Sequence, residues 1–178
     1  MKNVITLLLA GMLFGTGLNA QDFCKKLKKD VTNGTTFNYS IPYDTTTIPP
    51  IKVTRSFSID SDLAFDNFVL NLQIVSDLAE FFKKNPAGDG EYDEKKLVVD
   101  FDDKTSYVDN EILINYDLLN DENLAVRKVF ISLDEKTLPD FSKKTISKFS
   151  FGGMNRKITP DSGRAYQAFI KCMDDAHK

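Results

Sequence analysis

Histidine occurs once in the 178 residues, cysteine twice and tryptophan not at all. The one imidazole belongs to His177, beside the last residue of the sequence, where fraying is expected. This scarcity excludes several chemistries. A zinc site built from cysteine and histidine needs its ligands in close company, and the two cysteines stand at opposite ends of the chain. A Ser-His-Asp or Cys-His arrangement has no credible base. Phosphate-cradling loops are missing as well, because "FGGMNRK" at 151–157 has two glycines without the spacing of a P-loop or dinucleotide fingerprint. Neither a metal nor a cofactor is therefore expected. A basic excess is also lacking, with 23 Lys and Arg against 26 Asp and Glu and a net charge of −3. A nucleic-acid partner is not expected from that balance. The densest basic run, "KKLKK" at 25–29, sets four lysines around Leu27, which suits a solvated face and offers little apolar area to a membrane surface.

The long apolar run that does exist lies at the start. Lys2 precedes an uncharged stretch at 4–18, interrupted by Gly11, Gly15 and Gly17 and followed by Ala20. A basic start, an apolar middle and a small residue read as a secretory signal over residues 1–20, cleaved after Ala20. A membrane span needs about 20 apolar residues, which this stretch does not reach. Gln21, Asp22 and Phe23 also stand where a lipoprotein would carry a small-residue box before Cys24. Removing the signal takes away one lysine and no acid, leaving 22 basic and 26 acidic side chains, a net charge of −4. No transmembrane anchor is expected in the remaining chain. Export places Cys24 and Cys172 in an oxidising compartment, where two cysteines are most simply a disulfide. It would close a loop of about 149 residues, with a chain-entropy value of about 5 kcal/mol as an upper figure.

Residues 21–178 are long enough for one globular domain and contain neither an internal repeat nor a low-complexity tract. Most of the apolar signal has period two. "IKVTRSFSID" at 51–60 alternates Ile51, Val53, Phe57 and Ile59 against polar residues, and "FVLNLQIV" at 68–75 repeats the pattern. Further strands are expected at 96–101, 106–109, 111–118, 127–133 and 145–151, with 155–158 pairing back after Gly152 and Gly153 and a turn at 102–104. Pro49 and Pro50 mark an irregular connection over 43–52. Helices are expected at the edges: a short one over 22–29, another over 76–85 capped by Ser76 or Asp77, and a last one opened by Thr159 and Pro160. The last helix would point Ala165, Phe169, Cys172 and Ala176 inward. These elements describe an α+β protein, predominantly antiparallel β as a sandwich or open barrel. A short N-terminal helix and a C-terminal helix would be joined through Cys24 and Cys172.

Oxygen ligands and paired acids are the chemistry left to examine. Asp89, Glu91 and Asp93 alternate in the acidic stretch 88–94 as a calcium loop begins, but Glu94 stands where glycine is needed and Asp100 where the bidentate glutamate belongs. A solvated loop is the simpler reading. Asp100 and Asp102 fall on one side of a strand, about 7 Å apart, a spacing open to a glycosidase pair. Nothing adjacent in the sequence supplies the apolar pocket that a general acid needs. Asn33 and Asn38 open sequons that matter only where such sites are glycosylated. The function expected is thus an exported, non-catalytic binding or interaction module of the cell envelope or extracellular space. Its partner would be another envelope or extracellular protein. One form is a small inhibitor-like protein presenting loops 86–94 or 150–156, and the alternative is a carboxylate-based hydrolase acting on glycan through Asp100 and Asp102.

Overall fold

A computed structural model of the chain describes residues 24, 28–32, 36–40, 48–60, 63–84 and 95–176. The stretches with period-two alternation become strands, because a strand sends successive side chains to opposite faces. In chain order these are β1 (Lys28–Thr32), β2 (Thr36–Ser40), β3 (Ile51–Asp60), β4 (Leu63–Asp77), β5 (Leu97–Phe101), β6 (Ser106–Asp109), β7 (Asn115–Leu119), β8 (Leu124–Ser132), β9 (Ile146–Phe151) and β10 (Met154–Lys157). Three described helices join them: α1 (Leu78–Lys84), α2 (Leu138–Lys143) and α3 (Pro160–Asp175).

The described strands form two antiparallel sheets, one of six strands in the order β1-β2-β3-β4-β8-β7 and one of four in the order β10-β9-β5-β6. β4 is the centre of the larger sheet, pairing with β3 from Ile51↔Leu72 to Asp60↔Leu63 and with β8 from Val69↔Ser132 to Asp77↔Leu124. Both sheets supply one buried cluster: Ile51, Val53, Leu70 and Leu72 from the first, and Leu97, Val99, Phe149 and Phe151 from the second. All three described helices add to it, through Phe81, Phe141 and the Phe169, Ile170 and Met173 stripe. Full burial of each such side chain contributes about 1.5–3 kcal/mol.

Local chemistry fixes the last helix. Thr159 is extended at the N-cap and its hydroxyl accepts from the Ser162 amide at 3.3 Å, while Pro160 opens the first turn. Gly163 rests directly on the start of β9, since a Cβ there would run into the Ile146 carbonyl oxygen. Farther along, Cys172 is buried and bonded to Cys24, with Cα atoms 5.4 Å apart. The expected disulfide is present.

Some expectations are corrected. The short N-terminal helix over 22–29 is not supported: residues 22–23 and 25–27 lie outside the described residues, and Lys28 and Lys29 belong to β1. There they pair with Ser40 and Tyr39, so ladder hydrogen bonds outweigh the local helical pattern. The helix expected over 76–85 with Ser76 or Asp77 as its cap forms as α1 with Asp77 in that role, its carboxylate accepting from the Glu80 amide at 2.6 Å, while Ser76 and Asp77 themselves end β4. The strand expected over 111–118 forms only from Asn115. Ile112 and Ile114 still bury and Leu113 still faces out, so the alternation there records packing of an irregular segment. α2 was not expected from the sequence.

Candidate functional site

The β9–β10 hairpin turns on Gly152 and Gly153, whose φ angles are 55° and 67°. Positive φ at both central residues is the tight hairpin turn whose twist matches the strands, and glycine adopts it without Cβ strain. The turn pairs Phe151 with Met154 and sends Met154 and Arg156 to one face of β10, with Asn155 and Lys157 on the other. Met154 and Arg156 therefore stand over the ends of β4 and β8.

Polar contacts hold the hairpin there. Arg156 Nη1 donates to the Gln73 carbonyl oxygen at 3.4 Å, and Lys84 Nζ donates to the Gly153 carbonyl oxygen at 3.5 Å. Met154 Sδ accepts from Arg127 Nη1 at 2.6 Å. Arg127 itself is fully buried on β8, donates to Ser76 Oγ at 3.0 Å and lies over the Phe81 ring with its Cζ 4.9 Å from the centroid. A buried guanidinium stacked on an aromatic ring is a well-fixed support.

Between the hairpin and the larger sheet lies an open groove of about 530 Å³. It is lined by Ile48, Ile74, Val75, Leu124 and Met154, with Glu122, Asn155 and Arg156 as its polar members. Size and lining fall in the range of small-molecule sites, which are mostly apolar with a few placed polar groups. Arg156 is half-buried, and burial pulls its guanidinium below the ordinary value while neighbouring Tyr166 acts in the opposite sense. It remains a cation at neutral pH. Burial in turn raises the Tyr166 hydroxyl, against the opposing effects of Arg156 and of a hydrogen bond with the Ile51 backbone. Glu122 is exposed at the rim.

The carboxylates singled out in the sequence lie elsewhere. Asp100 accepts from Ser106 Oγ at 2.8 Å and pairs with Lys148 Nζ at 3.1 Å on the outward face of the smaller sheet. The Ser106 hydrogen bond holds its carboxyl below the usual range, against the opposing effect of burial and with Lys148 adding to the lowering. A general acid needs the reverse, a carboxyl that keeps its proton. Asp102 sits exposed in the β5–β6 turn, its Oδ1 accepting from the Thr145 amide at 3.4 Å. The acidic stretch 88–94 and His177 lie outside the described residues. Of the two loops named from the sequence, 86–94 is outside them too, whereas 150–156 carries Met154, Asn155 and Arg156 into the groove lining. Among the described residues, no helix is long and apolar enough to cross a membrane.

No family model, curated protein or solved structure matches this chain.

Proposed function

We propose that the chain is an exported, non-catalytic binding module of the cell envelope or extracellular space, with its two sheets packed as a sandwich and the groove under β10 as its recognition site. The groove carries this reading: residues of β4, β8 and β10 converge on one open hollow of mixed apolar and polar wall, edged by a half-buried cation. The Cys24–Cys172 disulfide is compatible with an oxidising compartment. Large apolar side chains left in water, Leu113 at 76% exposure and Phe65 at 63%, give a partner protein further surface to meet.

The test is retention. Chain 21–178 with its disulfide intact is immobilised beside an Ile48→Trp variant, which adds bulk at the groove wall, and both are exposed to envelope extract from the source cells. Proteins and small molecules in the eluates are then identified by mass spectrometry. The module reading expects one species held by the parent chain and lost from the variant. Identical eluates, together with glycan turnover that Asp100→Asn abolishes, would reverse it in favour of the hydrolase.

A further inference from the structure

We infer that the groove binds a small amphipathic carboxylate, its apolar tail along the wall made by Ile48, Leu124, Met154 and the Ile74–Val75 edge of β4 and its carboxylate on Arg156. The inference rests on reading the groove as a recognition site and adds the chemistry of what fills it. Tail and head follow from separate observations. Five of the eight lining residues are Ile, Val, Leu or Met, and apolar surface makes up slightly more than half of the wall, so a short apolar tail is removed from water there.

The head group follows from Arg156. Its guanidinium is half-buried in the lining, its described hydrogen bond is to the neutral Gln73 carbonyl, and no described ion pair links it to an acid. A guanidinium has five donors in a planar fork, and one contact at 3.4 Å leaves capacity for a carboxylate approaching in the same plane. Burial also weakens solvent competition for that bond, so a carboxylate gains more here than it would on an exposed arginine. Glu122, the acid in the described lining, is exposed at the rim, where water screens its repulsion. Its place opposes a second negative charge on the ligand and favours a single carboxylate.

Two features make the site rigid enough to select. The Gly152–Gly153 turn fixes the register that puts Met154 and Arg156 on one face, and Arg127 fixes the Met154 thioether from behind. Arg156 is thus presented on a strand held at both ends, at little ordering cost on binding.

The experiment uses disulfide-intact chain 21–178 and decanoate as the probe, with decan-1-ol and decylammonium as controls of equal tail and different head. Calorimetry gives affinity, and methyl NMR of Ile74, Val75, Leu124 and Met154 gives location. The expected result is saturable decanoate binding that shifts these methyls. Affinity should fall about tenfold or more for decan-1-ol, for decylammonium and for Arg156→Gln, with partial recovery in Arg156→Lys. Far-UV circular dichroism and thermal midpoints of each variant separate lost binding from lost folding. Equal affinity for acid and alcohol, no effect of Arg156→Gln, or methyl shifts confined to other parts of the molecule would overturn the proposal. Failure of decanoate with a groove-dependent protein in the retention experiment would sink the ligand class and leave the binding module standing. Failure of both would remove the module reading too.

Discussion

Arg55 supplies the positive charge that α3 lacks in its own last turn. It reaches from β3 to donate through Nη1 to the Met173 carbonyl oxygen at 3.0 Å and through Nε to Asp66 Oδ1 at 3.0 Å, with Phe68 beneath its plane at 4.8 Å. A cation at a helix C-terminus meets the negative end of the dipole, and this one also closes an orphan carbonyl. Arg55→Met should lower stability by about 1.5–3 kcal/mol, the range for hydrogen bonds to charged groups. Denaturant unfolding reads the loss, and amide exchange should accelerate most in the last turn of α3; a uniform acceleration would speak against the local account. A second residue-scale expectation concerns acid. The Asp100 carboxyl is held down chiefly by Ser106, so its stabilising effect is present above its unfolded pKa and is lost as pH falls through the lower folded value. The window therefore lies below about pH 4. Ser106→Ala should raise the Asp100 midpoint seen by carboxyl NMR, and an unchanged midpoint would remove Ser106 as the cause.

Helix α3 shows how a helix former can be wrong for a helix. Alanine has the higher propensity by about 1 kcal/mol, yet Gly163→Ala would press a Cβ into the Ile146 carbonyl oxygen and against Thr145 Cγ2 at 2.7 Å. Backbone cannot yield as a flexible side chain does, so the net effect should be destabilising by about 1–3 kcal/mol. A thermal midpoint equal to or above that of the parent would refute the tight seat. The same element was among the most legible in the sequence, since Thr159, Pro160 and the Phe169–Cys172 spacing announce its start and its inward face. β3 and β4 were legible for the same kind of reason, one apolar face repeated at every second residue. Other elements were not. α2 offers six residues, fewer than two helical turns, too short for a periodicity to show. β1 and β2 exist through pairing with each other and with β3, a non-local cause that "KKLKK" does not display. The groove was half visible: residues 150–156 stood out, but Arg156 looks like any charged residue until the fold sets it beside Ile48, Val75 and Leu124.

At the scale of the molecule, two sheets share a core and one covalent bond ties Cys24 to the far end of α3. With its cysteines 148 apart in the sequence, this crosslink restricts the unfolded chain far more than a short loop would. Cys172→Ser, or reduction by dithiothreitol, should reduce unfolding free energy by about 2–5 kcal/mol, read as an earlier urea midpoint. Coincident curves with and without reductant would show that the bond contributes nothing. The order of synthesis gives this bond a further meaning. A ribosome delivers the first thiol early and its mate only after 148 more steps, so ring closure comes after nearly all of both sheets has been made. A chain that stalls before that point carries Cys24 unmatched, so oxidation of this pair marks each copy whose synthesis has passed through α3.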